Sequence, residues 1–364
     1  MKKRYLIPII ISILMLVINV AARFSRTFSD FYVEQIFPRI STILSHFSGL
    51  FPFSVGEVMI ILGILLVVIG IPLFLILLIV KKDSRRKTAG AFLCTFLWVL
   101  CYVWSTETLN CFVMYQCTPF SERYFNEQPE HTESELKELY IMLVGKANEL
   151  AEEVPRDSDG RFMVTCDYNN EAKAAMKRAS MKYPQLKGFY PTAKKINFSY
   201  FMSQSNLLGI YFPFSMESNY NKDMVSINLP STICHEYAHL KGIIQEDEAN
   251  FISFIANVES ENIEFRYSGY ISVLEYVHNE IYGQNISSAY GVTDTISEKV
   301  RKDWFRFLPD TYWEDNKEKE IIPTETVRAA SDASIDMNIK MNGREDGIKA
   351  YSHVVNLLLD YYGK

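Results

Sequence analysis

Three transmembrane helices followed by one α+β, helix-rich domain is the fold class that this 364-residue sequence predicts. Three observations carry the prediction. Uncharged apolar runs long enough to cross a bilayer occupy residues 5–22, 58–80 and 88–106. From residue 107 the composition turns globular, with capping and turn signals in place of apolar runs. Within that second part, His235-Glu236-Tyr237-Ala238-His239 is followed at once by the acidic segment Gln245-Glu246-Asp247-Glu248-Ala249-Asn250.

The first run follows Lys2-Lys3-Arg4. Its length favours a retained span, although Val20-Ala21-Ala22 would also suit signal-peptide cleavage. Residues 23–57 form a connector in which Arg23, Arg26, Arg39, Asp30 and Glu34 alternate with phenylalanines. That pattern suits an amphipathic segment at a membrane surface, or equally a short helix packed on the spans. The second run is interrupted only by Gly63, Gly70 and Pro72 and leads into the basic cluster 81–87. The third ends with Trp98, Tyr102 and Trp104, as an interfacial belt would. Basic residues favour the cytoplasmic side. Two crossings separate the two basic clusters, so both fall on that side. The third span then carries residues 107–364 to the extracytoplasmic face of the cell membrane.

In the domain, Thr132-Glu133-Ser134-Glu135 is a capping box that opens a helix to about Glu153. A helix is expected over 170–181, strands over 194–203, 208–214 and 223–229, and the HEYAH helix directly after them. The stretch 208–221 is a candidate for holding an extended peptide by strand addition. Phe251, Phe254, Ile255 and Val258 mark a helical face continuing to about Tyr267, with a break at Ser268-Gly269. Further helices are expected over 270–282, 294–307, 324–341 and 346–361.

Two histidines four residues apart share one helix face, one turn from each other, which is the spacing two Zn2+ ligands need. Glu236 follows the first of them and can reach a water held by the metal, as a general base must. Gly242 ends the helix. If the chain turns back there, Glu246 falls opposite His239 and Asn250 opposite His235. Glu246 then completes a His235, His239, Glu246 ligand set, and Asn250 supports the first imidazole. Glu248 is the competing third ligand, on a different helix face from Asn250. Cys234 points off the histidine face and reads as a small buried residue.

This pattern of His-Glu-x-x-His followed by Glu-x-x-x-Asn resembles the gluzincin metallopeptidases, and locally the membrane CAAX-type peptidases. The whole chain resembles a family of bacterial membrane proteins of unknown function. That likeness rests on Gly209–Phe214, Glu217–Asn221, the HEYAH block and Met341–Gly347. It implies three N-terminal spans and a zincin-like domain outside the cell. The function expected is zinc-dependent hydrolysis of a peptide or protein substrate, with Glu236 catalytic and the lipid bilayer as the standing partner. The alternative is a catalytically silent, membrane-anchored zincin-fold binding or sensing module; an intact Glu236 argues against it. The resemblance alone sets Glu217 and Asn219 apart as cleft residues. Gluzincins also use a downstream group on the oxyanion, for which Arg266, Tyr267, Tyr270, His278 and His353 are candidates.

Composition narrows the field further. A net charge of −6 argues against a nucleic-acid partner. Six cysteines are too few for a disulfide scaffold, although Cys111 and Cys117 could pair on an oxidising side.

Overall fold

The computed structural model describes residues 3–125, 131–341 and 353–363. Among the described residues the chain is helix-rich, with one three-stranded sheet, and it divides into two compact units. The first comprises 1–117 together with 212–217; the second comprises 118–211 and 218–364.

In the first unit, three helices are long and apolar enough to cross a membrane: Lys3–Phe24, Val55–Val80 and Lys82–Gln116, of 22, 26 and 35 residues. At about 1.5 Å per residue even the shortest exceeds a hydrocarbon core of roughly 30 Å. Two of the unit's π-turns, Tyr32–Ile36 and Leu66–Gly70, end two residues before Pro38 and Pro72. A proline has no N–H for the carbonyl four residues back, so the preceding turn widens. In the 23–57 connector the chain is helical without a break from Arg26 to Gly49, through Arg26–Phe31, the π-turn Tyr32–Ile36 and Phe37–Gly49. Cys111 and Cys117 are both buried thiols, and Cys117 Sγ donates to the Met114 carbonyl at 3.0 Å.

Segment 212–217 is built into this unit by named contacts. Asn110 Nδ2 donates to the Pro213 carbonyl at 2.8 Å, Tyr102 OH to that of Phe214 at 3.2 Å and Ser45 Oγ to that of Met216 at 2.9 Å. Glu217, 1% exposed, caps the Val55–Val80 helix. Its carboxylate accepts from Val55 N at 3.1 Å, Gly56 N at 2.7 Å and Ser215 Oγ at 2.6 Å. Every buried oxygen is thus paired, and the negative charge sits at the positive end of a long helix. Gly56 is glycine for a local reason: a Cβ there would lie 2.6 Å from the Phe212 ring.

The second unit is a helical core with the small sheet beside it. Helix Glu133–Ala151 opens with the Thr132–Glu135 capping box, and Tyr168–Lys182 is capped by Asp167. The sheet has strand order β1-β3-β2, where β1 is Lys194–Ile196, β2 is Gly209–Phe212 and β3 is Glu217–Asn221. β1 and β3 run parallel, with Lys194 opposite Asn219 and Ile196 opposite Asn221. Two strand expectations are corrected. After Ile196 the chain turns into helix Tyr200–Gln204 instead of continuing extended. Residues 223–229 form the 3₁₀ turn Ser226–Asn228 and the start of helix Leu229–His239, because Pro230 occupies the first helical turn, where its fixed φ and missing N–H are suited.

Helices Leu229–His239, Glu246–Val258 and Ile263–Gly283 pack together through Ile233, Tyr237, Phe251, Phe254, Val273 and Leu274, all buried. The expected break at Ser268-Gly269 lies instead at 259–262, where Asn262 accepts from the Glu264 and Phe265 amides. Gly269 serves close helix approach: a Cβ there would meet Asn257 Cβ at 2.7 Å. The 294–307 expectation shortens to Glu298–Asp303 after a separate turn of helix, Tyr290–Asp294. Thr324–Met341 forms, and the last described helix is Val354–Tyr362. Residues 342–347 of the Met341–Gly347 motif and the start of the 346–361 helix lie outside the described residues.

Candidate metal centre

Among the described residues, one group of metal-competent side chains converges: His235, His239 and Glu246, whose ligand atoms all lie within 4.8 Å of one another. The two imidazole Nε2 atoms are 3.1 Å apart, and Glu246 lies 3.1 Å from His235 Nε2 and 3.8 Å from His239 Nε2. The local chain explains the convergence. Leu229–His239 ends at a turn in which Gly242 takes φ +83° and Ile243 N bonds the Ala238 carbonyl at 3.3 Å. Only glycine enters that left-handed region without strain. The turn sends Glu246–Val258 back along the first helix. It also aims the Ile243 carbonyl at His239 Nδ1, 2.7 Å away.

His235 Nδ1 meets Asn250 Oδ1 at 2.8 Å, and Asn250 Nδ2 reaches Tyr276 OH at 3.3 Å. Each Nδ1 therefore faces an oxygen acceptor and carries the proton. With both rings neutral, each Nε2 is left as a lone pair, aimed at the other and at a carboxylate. Two lone pairs and a carboxylate in one pocket attract a cation, and the donor set fits zinc. Taken alone, the protein groups respond by sharing a proton. Burial opposes charge on His235, but Glu246 outweighs it and holds this imidazole up to about 9. Burial pushes His239 down to about 4.

Glu236 lies beside this set, 4% exposed. The backbone N–H of Tyr211 donates to its carboxylate. Its Oε2 is buried with no hydrogen-bond partner among the described residues. Burial pushes Glu236 up to about 8, with His235 pulling the other way. Gly209 passes so close that a Cβ there would fall on Glu236 Oε1 and lie 2.7 Å from Thr232 Cγ2. The Tyr211 ring lies 5.9 Å from that of His239.

The other candidates are committed elsewhere. Glu248 accepts from Ser121 N at 3.0 Å and from Ser121 Oγ, 3% exposed itself. Cys234 is fully buried, its thiol pushed up to about 12 by burial. Tyr267 OH donates to Asp303 at 2.7 Å, and Arg156 pairs with the same carboxylate at 3.0 Å. Tyr270 packs on Phe254, and His278 meets Tyr140 OH at 2.8 Å inside an aromatic cluster with Tyr282, Trp304 and Phe305. His353 Nδ1 is 3.7 Å from Asp247. Arg266 lies on the Ile263–Gly283 helix, outside the converging group. Glu217 caps the Val55–Val80 helix, and Asn219 is a buried residue of β3 whose Nδ2 faces the Ile210 carbonyl at 3.4 Å.

Two contributors to the centre carried no sequence signal of their own. Tyr276 is one of 22 tyrosines, and the Ile243 carbonyl is backbone. A register argument one turn beyond Val273 would have found Tyr276 only with the helix packing already known.

A protein-family model described as "Protein of unknown function (DUF3810)" matches residues 32–359. No curated protein and no solved structure matches the chain.

Proposed function

The chain belongs to the DUF3810 family, and we propose that it is a membrane-anchored, zinc-dependent peptidase with a zincin-like domain on the extracytoplasmic side. One observation carries the reading: two Nε2 lone pairs and the Glu246 carboxylate converge beside a buried carboxylate that has one unpartnered oxygen. A two-histidine helix, an antiparallel helix bearing the acid and a small sheet alongside support the gluzincin comparison.

His235, His239 and Glu246 would hold the zinc, and a zinc bound there would supply Lewis acidity for hydrolysis. Glu236 Oε2 takes the proton as water attacks and returns it to the leaving amine nitrogen. A group raised towards neutrality by burial suits both halves of that transfer. Asn250 and the Ile243 carbonyl keep both imidazoles in the tautomer that leaves Nε2 free for metal. β2 lies at the edge of the sheet and beside Glu236, so an extended peptide adding to that edge passes the base.

The test is hydrolysis of a peptide library by the full chain in lipid vesicles. Cleavage is expected with about one zinc per chain, lost on chelation and restored by zinc. Metal uptake without cleavage of any peptide would favour the silent binding module. The sidedness rests on the basic residues 81–87. A reporter fused after residue 84 is expected to read cytoplasmic and one after residue 130 external; the reverse pattern overturns the placement.

A further inference from the structure

The two imidazoles of the metal centre are held by acceptors of different kinds. His239 Nδ1 faces the Ile243 carbonyl, a backbone group that presents an oxygen and nothing else. His235 Nδ1 faces Asn250, whose side-chain amide has an oxygen at one end and an NH₂ group at the other. The two ends have nearly the same shape. Turned over, the amide would set its NH₂ group against His235 Nδ1. Nδ1 would then accept, the ring proton would move to Nε2, and the lone pair that a metal needs would be lost. A group beyond Asn250 has to settle which end faces the histidine.

Tyr276 is in place to do so. Helices Glu246–Val258 and Ile263–Gly283 run antiparallel about the turn at 259–262, and Gly269 lets them close on Asn257. Two turns along each helix from that contact, Asn250 Nδ2 donates to the Tyr276 hydroxyl oxygen at 3.3 Å. A hydroxyl accepts as readily as it donates, so the contact alone leaves the amide undecided. The surrounding charge decides it. Burial first, then the negative charges of Glu275 and Glu246, hold the hydroxyl protonated, well above the usual tyrosine range. The same two charges draw its proton to their side and leave a lone pair for Asn250 Nδ2. We infer that Tyr276 is a positioning residue for the metal centre: its hydroxyl takes the NH₂ end of Asn250, so that the oxygen end faces His235 and Nε2 is kept free for metal. The inference rests on the zinc centre of the reading above and not on cleavage. It gives helix Ile263–Gly283, which carries none of the three converging ligands, a part in the site.

The experiment uses the full chain in phosphatidylcholine nanodiscs, with zinc as the probe. Zinc Kd is read by competition with a chelator, and the imidazole Nδ1–H signals by NMR of zinc-loaded protein with isotope-labelled histidine. Tyr276→Phe keeps the ring and removes the hydroxyl. It is expected to raise the zinc Kd about 10-fold, the lower end of what outer partners of a ligand contribute. The Nδ1–H signal of His235 should broaden through exchange with water, while that of His239, on a carbonyl that cannot turn over, stays sharp. Asn250→Asp supplies the control, since a carboxylate offers an oxygen whichever way it is turned. In that background Tyr276→Phe should change Kd by no more than about 2-fold, the usual error of additivity, and leave both signals sharp. An equal loss of affinity in the two backgrounds overturns the inference, because Tyr276 would then act through packing or charge and not through the amide. An unshifted Kd and a sharp His235 signal in Tyr276→Phe overturn it too, with the zinc centre intact. Wild-type protein that takes up no zinc overturns the centre and the inference together.

Discussion

Glu236→Gln is expected to keep the metal and the fold and to lose about 10²–10⁴ in turnover, the range that a general base contributes. The structure sharpens the reason. The carboxylate has one oxygen against β2, where an amide oxygen can still accept from Tyr211 N–H, and one oxygen, Oε2, without a partner. Glutamine puts an NH₂ group at that second position. It can donate but not accept, so the proton of the attacking water has nowhere to go. Glu236 is not one of the three converging ligands, so zinc stoichiometry should be unchanged. A residue that only touched substrate would shift KM and leave kcat alone. The measurement is kcat and KM on one cleaved peptide, with zinc content, for both proteins side by side. Equal kcat removes Glu236 from the mechanism; loss of zinc makes it a structural support of the centre.

Much of this centre was legible in the sequence because the signals were local. The i, i+4 spacing of His235 and His239, the glycine at 242 and the acids after it all act within 16 residues, where helix and turn geometry fix positions. Mirror counting about the turn put Asn250 opposite His235, and the 2.8 Å contact lies there. The capping box at Thr132 was read for the same reason. What escaped the sequence depends on distant packing. Pro230 suits a helix start and the 223–229 pattern suits a strand; the buried side of Leu229–His239 decided between them. Gly269 was read as a break because glycine is a poor helix former, but it is the residue that lets two helices touch. Glu217 was set apart only by the family likeness, as a cleft residue, and its capping role could not be read, since its partners, Val55 and Gly56, lie more than 160 residues earlier. Apolar runs need no partner to be recognised, which is why the three candidate spans were visible at once.

The two acids that competed for the metal now make opposite predictions. Glu246→Ala removes one of three ligand groups and should lower zinc affinity by more than about 100-fold, beyond what losing a supporting contact costs. It should hardly disturb folding, because the Glu246 side chain is 27% exposed and its polar contacts are the two histidines. Glu248→Ala should do the reverse. Glu248 takes two hydrogen bonds from Ser121, at the start of helix Phe120–Tyr124, and both residues are buried. Alanine leaves the Ser121 N–H and hydroxyl without their acceptor, at a cost of about 1–3 kcal/mol in stability, while zinc affinity stays near wild type. Asn250→Ala belongs between them, with affinity down about 10–100-fold, because it frees the His235 imidazole to turn without removing a ligand. Zinc titration and thermal unfolding of the three variants separate the cases. If Glu248→Ala loses zinc while Glu246→Ala keeps it, the third ligand has been assigned to the wrong acid. If neither alters zinc binding, the histidines hold the metal without the returning helix, and the two-helix basis of the site fails.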